Sequence, residues 1–215
     1  SSSKSGRELF SKSSGVNILA GARIFMFGAR DVWFVVGLPV FLYAAGWDFW
    51  AVGGFLAIWT IAYGGVQALA PSFVPRSPDG LDREVPAARV WALVLAAVPV
   101  ILFFALRSAD SLPVPPVTIV IASLLVFGVP FAVNSSLHSY LILAYAGSKK
   151  AAEDVGFYYA ANAAGRLIGT LLSGLLYQIG GLAGCIAGSA VMLAVCMLAV
   201  CMLPRSLPDP TAAHS

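Results

Sequence analysis

Tyr158-Tyr159-Ala160-Ala161-Asn162-Ala163-Ala164-Gly165-Arg166-Leu167-Ile168-Gly169-Thr170 places one full positive charge inside an apolar run. The run, 155–178, is long enough to cross a bilayer as a helix. An arginine at the centre of a membrane helix costs about 2.5–3.5 kcal/mol on insertion scales, so it needs a partner or a function. Asn162, Arg166, Thr170, Ser173 and Tyr177 recur at helical spacing and define one face. Ala161, Gly165, Gly169 and Ser173 form a second stripe, the small-residue pattern that lets membrane helices approach closely. One face is expected to pack and the other to line a polar interior.

The rest of the chain agrees with a membrane setting. Hydrophobic residues make up 59% and charged residues 11% of the sequence, with a mean hydropathy of +0.86. Water-soluble domains carry roughly a quarter charged residues. Six apolar runs, near 18–45, 49–70, 88–106, 117–146, 155–178 and 182–203, each reach the ~20 residues that hydrocarbon requires. The two long ones imply tilt or a kink, with Pro39 and Pro130 as the kink sites. The expected fold is an all-α membrane protein with six transmembrane helices. Residues 18–204 form the bundle, 1–17 a linker and 205–215 a tail.

Charge sets the orientation. Lys4, Arg7 and Lys12 precede the first run, Arg76, Arg83 and Arg89 surround the second loop, and Lys149 and Lys150 lie between the fourth and fifth runs. Arg205 follows the last run, while the alternate loops hold only Arg107. The positive-inside bias therefore puts both termini in the cytoplasm. The net charge of +3 reflects this topology, and no basic groove interleaved with aromatics suggests nucleic-acid binding. Cys185, Cys196 and Cys201 all belong to the last run and read as core-filling thiols.

The Ser-rich start, without an initiator methionine, reads as an interdomain linker, so an N-terminal half is expected to precede this chain. The runs divide into two triplets, as in transporters built from inverted repeats. In each triplet the first helix carries the polar residues: Arg30 and Asp31 in one, Asn134, Ser135, Ser136 and His138 just past Pro130 in the other. Such matched positions point to a central pathway. Arg30 and Asp31 leave a helix about 100° apart, so each is expected to seek water or a partner on another helix. Arg30 is then an anion ligand or half of a structural ion pair. Asp31 is a proton carrier or an arginine counter-ion. Arg166 either contacts a substrate or ties its helix to Asp31 or to backbone carbonyls. His138 suits proton coupling by its titration range, or lies at the cytoplasmic interface without a function. Asn134, Ser135 and Asn162 offer hydrogen bonds to a substrate, and Asn134 and Ser135 equally to carbonyls freed by Pro130. Trp59, Tyr63 and Gln67, spaced by four, read as packing with one interhelical hydrogen bond. No zinc-protease, nucleophilic-serine or phosphate-loop motif is present, so neither an enzyme nor a resident cofactor is expected.

Asp82-Arg83 resembles the Asp-Arg core of the major-facilitator loop signature, although Pro78, Val85, Pro86 and Ala87 replace its glycines and basic residues. The segment 23–40, Arg-Ile-Phe-Met-Phe-Gly-Ala-Arg-Asp-Val-Trp-Phe-Val-Val-Gly-Leu-Pro-Val, is similar to the seventh helix of the ArsJ-type organoarsenical efflux permeases. The segments 134–145, 154–159 and 165–167 resemble the tenth and eleventh helices of the same family. The likeness extends over nearly all of residues 7–203.

It implies the C-terminal half of a major facilitator, a 3+3 inverted repeat in the bacterial inner membrane that lacks its N-terminal six helices here. The implied cargo is a small polyanion, 1-arseno-3-phosphoglycerate, made by a companion glyceraldehyde-3-phosphate dehydrogenase. Export would confer arsenate resistance. Arginine forks suit such oxyanions, and a pentavalent arsenate ester does not require thiols. The alternatives are a facilitator for another small anion or metabolite, and a non-transporting half-bundle that only assembles with another chain.

Overall fold

The computed structural model describes residues 13–74 and 76–206, with the side chains of 110 and 147–151 left aside. The linker expected over 1–17 and the tail over 205–215 therefore lie mostly outside the described residues. So do Lys4, Arg7 and Lys12, and the side chains of Lys149 and Lys150. The described chain is helical without strands. Helix α1 spans Ser14–Phe34, α2 Gly37–Ala44, α3 Phe49–Leu69, α4 Glu84–Arg107 and α5 Pro116–Cys201. Short 3-10 turns at Ala70–Phe73 and Ala109–Ser111 end α3 and α4.

Side-chain capping starts two of the helices. Ser13 Oγ accepts from the Val16 N–H at 3.3 Å and Asp48 Oδ1 from the Ala51 N–H at 2.8 Å, satisfying donors that a helix start leaves open. Helix α4 begins at Glu84, ahead of the apolar run. Pro86 falls in its first turn, where a missing N–H costs nothing. Glu84 places its carboxylate at the positive end of that helix and accepts from the Ser77 N–H at 2.8 Å and from the Ser77 hydroxyl.

Helix α5 is helical by its backbone bonds from end to end, yet it folds back on itself. The Cys185 thiol donates to the Ser173 carbonyl at 3.4 Å, whereas twelve residues of straight helix would separate them by about 18 Å. Gly181 makes this reversal in the left-handed region at φ +59°, which glycine enters without penalty. Arg23 reaches both the Ser135 carbonyl, at 3.3 Å, and the Tyr158 ring, at 4.6 Å from its centroid. A second reversal therefore lies between those two positions. The Tyr145 hydroxyl donates to the Pro204 carbonyl at 2.6 Å, bringing the last turn back beside the middle of α5.

Among the described residues, five helical segments are long and apolar enough to cross a membrane: Ser14–Ala44, Phe49–Phe73, Glu84–Arg107, Pro116–Ala146 and Ala152–Cys201. Helix α1 is the most enclosed, with Val16, Leu19, Met26, Val32 and Trp33 fully buried. Outward faces carry Trp50, Ile61, Ile179 and Leu171, all largely exposed, which is an exterior suited to lipid and not to water.

The break expected at Pro39 appears one turn earlier, at Val35–Val36. A proline lacks the N–H for the carbonyl four residues back and crowds it, so the helix opens there. Ser173 Oγ fills the gap, accepting from the Val36 and Gly37 N–H groups at 3.2 and 3.1 Å. At Pro130, by contrast, the helical assignment continues unbroken. The Asn134 amide donates to the Pro130 carbonyl there, at 2.8 Å.

Candidate functional site

The packing stripe brings α1 and α5 together. At Gly165 an added Cβ would overlap the backbone of Ile24, and at Gly169 it would overlap the backbone of Gly28. Ala161, Gly165, Gly169 and Ser173 are all buried, so the small-residue seam packs as the sequence indicates. This close approach carries Asp31 to the face of Arg166.

Arg166 Nε donates to Asp31 Oδ2 at 3.1 Å, and Arg30 Nε donates to Asp31 Oδ1 at 2.7 Å. The expectation that neighbouring Arg30 and Asp31 point too far apart to pair is thus corrected. The 100° separation holds for the Cβ directions, but the three-carbon arginine stem swings Nε back to the adjacent carboxylate. Asp31 is a counter-ion for two arginines and is 2% exposed, while Arg166 is 57% exposed. Two guanidinium groups share one carboxylate.

A second cluster lies one heptad earlier on α1. Arg23, 5% exposed, donates through Nη1 to the Ser135 carbonyl at 3.3 Å. Its guanidinium carbon lies 4.2 Å from the Phe27 ring centroid and 4.6 Å from that of Tyr158. Cation–π contact with two rings offsets part of the cost of removing the charge from water. Arg30 lies 5.1 Å from the same Phe27 ring and 5.3 Å from Phe131, so Phe27 joins the two arginines. Among the described residues no carboxylate pairs with Arg23, and Arg23 Nε is buried without an acceptor.

Ser135, which accepts from Arg23, and its chain neighbour Asn134 are both buried. The Ser135 carbonyl also accepts from the Ser139 hydroxyl at 2.9 Å, and Ser135 Oγ from Gln67 Nε2 at 3.5 Å. Asn134 Oδ1 and Asn162 Oδ1 are buried and unbonded. Trp59 Nε1 donates to the Leu124 carbonyl at 3.3 Å and its ring stacks on Tyr63, the packing role expected of that stripe.

His138 is fully buried among the helices, with neither ring nitrogen bonded. Helix α5 turns that position inward, into electrostatic reach of Arg23.

The sequence offers Arg30, Asp31, Arg166 and Asn162 with Asn134, Ser135 and His138 as candidates. The structure gathers the first three into one ion cluster and brings Ser135 and His138 to Arg23, a residue to which the sequence gives no role. The missed signal was present: Arg23 lies inside the first apolar run, seven residues before Arg30, hence on nearly the same helix face. Elsewhere, Asp82, Arg83, Pro86 and Trp91 line a shallow, separate pocket of about 490 Å³.

No protein-family model, curated protein or solved structure matches this chain. The likeness to the ArsJ-type permeases rests on the quoted segments alone.

Proposed function

We propose that this chain is the six-helix C-terminal bundle, a 3+3 inverted repeat, of a major-facilitator efflux transporter for a small organic polyanion. The bundle belongs in a bacterial inner membrane with both ends cytoplasmic, and works by rocking against a preceding six-helix half. The cargo that the sequence resemblance implies is 1-arseno-3-phosphoglycerate, and its export would give arsenate resistance. The observation that carries this reading is the arginine excess among apolar helices: Arg30 and Arg166 divide a single Asp31 carboxylate. The cluster keeps one net positive charge, and Arg166 leaves its guanidinium largely uncovered. A fixed cation in hydrocarbon is retained where an anion must visit. Asn162, Asn134 and Ser135 supply hydrogen bonds, and Asp31 or His138 is the group through which proton coupling would run.

The test is arsenate resistance and organoarsenical export in cells that express the full-length protein with its companion dehydrogenase. Arg30→Gln and Arg166→Gln should each lower export at equal membrane abundance. Full resistance in both variants would end the assignment of these arginines to the anion. The second reading, a half-bundle that only assembles with another chain, draws on the exposed leucines beside Arg166, Leu167 and Leu171. Expressing the chain with and without a separate N-terminal half distinguishes it.

A further inference from the structure

The turn before α4 leaves two opposite charges at the polar end of a membrane-length helix. Asp82 and Arg83 are exposed, and among the described residues neither side chain forms an ion pair or a hydrogen bond. Their backbones are fixed all the same. The Asp82 N–H donates to Asp79 Oδ1 at 3.2 Å and the Arg83 N–H to Ser77 Oγ at 3.4 Å. The neighbouring carboxylates are already engaged: Asp79 accepts from the N–H groups of the turn, and buried Glu84 accepts from Ser77. Asp82 and Arg83 are therefore held side by side with their charged ends open.

A charged pair at a helix start is ordinarily no more than a solvated cap. Here it forms the rim of a groove of about 490 Å³ whose wall is Pro86, Ala87, Val90 and Trp91. These positions follow the charged pair at steps of three and four, so the groove runs along one face of α4. It leads into the segment Glu84–Arg107, which is apolar enough to cross a membrane. The opposite face, Val85, Ala88, Ala92 and Leu95, is buried in the bundle, whereas Val90 is 61% exposed. The groove thus looks outward, with Trp91 at the depth where tryptophan marks a membrane boundary. A ligand that matches it carries both charges at one end and hydrocarbon at the other. A small polar molecule would leave the wall unused, and a plain alkyl chain would leave the charges unused.

We propose that this groove is a phospholipid site selective for a headgroup with a primary ammonium. Arg83 takes the phosphate oxygens through its fork, Asp82 accepts from the ammonium, and an acyl chain lies along Pro86, Val90 and Trp91. Chemistry sets the order among headgroups. A quaternary ammonium brings the same charge but has no N–H for Asp82, and an anionic headgroup without an amine meets repulsion from the carboxylate. The inference needs only that α4 spans a membrane, so it holds for a transporter and for a non-transporting half-bundle alike.

The experiment uses the full-length protein in phosphatidylcholine vesicles that carry a minor fraction of lipid with brominated acyl chains, its headgroup being ethanolamine, choline or glycerol. Bromine quenches indole fluorescence on contact, and the difference between wild type and Trp91→Phe isolates the Trp91 signal in each background. That signal should be quenched about two- to fivefold more by the ethanolamine lipid than by the choline lipid, the range that an exposed charge pair provides. The glycerol lipid should quench least. Asp82→Asn should abolish the ethanolamine preference and raise the glycerol lipid to at least the level of the choline lipid, whereas Arg83→Gln should lower the glycerol lipid further. Equal quenching by the three lipids overturns the inference, and so does strongest quenching by the glycerol lipid, which would mark an anionic-lipid patch. A Trp91 that no brominated lipid reaches overturns it as well, because protein then covers the groove. An ethanolamine preference that survives in Asp82→Asn also counts against it. Both substitutions fall on exposed, unbonded side chains, so the variants should fold as wild type does.

Discussion

Arg166 and Asp31 meet at 3.1 Å across the glycine seam between α1 and α5, 135 residues apart in sequence, and the carboxylate is the buried partner. Burial makes the pair asymmetric. Removing Asp31 leaves two cations among apolar helices, whereas removing Arg166 leaves Asp31 still bonded to Arg30. Asp31→Asn should therefore destabilise the bundle by about 3 kcal/mol, the low end for a broken buried pair because Arg166 is mostly uncovered. Arg166→Gln should cost under about 1 kcal/mol. Unfolding in mixed micelles measures both, and equal losses in the two variants would contradict this ranking.

That contact depends on the glycine seam. Gly165 faces the Ile24 backbone with no room for a Cβ, while an added Cβ at Gly174, on the same helix, meets nothing within 4 Å. Gly165→Ala should cost about 1–3 kcal/mol through forced separation of the helices. Gly174→Ala should be neutral or stabilising by up to about 1 kcal/mol, because alanine favours helix. Thermal unfolding of the two variants side by side checks the contrast, and similar midpoints would mean that the seam is not tight.

The seam shows what a sequence carries and what it omits. Ala161, Gly165, Gly169 and Ser173 announced a packing face because small residues at helical spacing have one common use in membranes. The all-helical class followed from apolar runs that are too long and too uncharged for water. Partner choice was less legible. Spacing gives the direction in which a side chain leaves the helix, but Arg30 reaches Asp31 by bending its stem, which no periodicity encodes. The burial of Arg23 and His138 is hidden from the sequence for a related reason. Their depth depends on how the reversals in α5 stack Ser135 and Tyr158 against α1, and that is a tertiary property. The break before Pro39 was displaced by one turn because proline disrupts the carbonyl four residues behind it.

The loop ahead of α4 offers a titration. Asp79 has its pKa held below the usual 3.8 by the Ser77 side chain first, then by the Asp82 and Leu81 N–H groups. Those N–H groups lie 3.2 Å from Oδ1. A carboxylate with a depressed folded pKa contributes stability above its unfolded value, and loses it as pH falls through the folded one. The loop should keep its turn at pH 4 and lose it only below the ordinary aspartate range. Carbon-detected NMR should place the Asp79 midpoint below the ordinary aspartate range. A midpoint at or above that range would show that the turn does not hold the carboxylate ionised.

Ser173 joins the packing seam to the break in the first membrane segment. Its hydroxyl oxygen accepts from both the Val36 and Gly37 N–H groups, two donors that the opened helix would otherwise bury unpaired. Cysteine or alanine fits the same space next to Cys185 but accepts poorly or not at all. Ser173→Ala should therefore cost about 1–3 kcal/mol, the penalty for orphaned buried donors, although the lost side chain is small. The damage should be local. Hydrogen exchange at Val36 and Gly37 should rise well before exchange in the middle of α1, since the α1 ladder up to Phe34 has its own carbonyls. If exchange at 36 and 37 stayed at the wild-type rate while the whole bundle weakened, Ser173 would be acting through packing alone. If the local rise appears, one hydroxyl from α5 keeps the two N–H groups of the α1–α2 junction from opening to exchange.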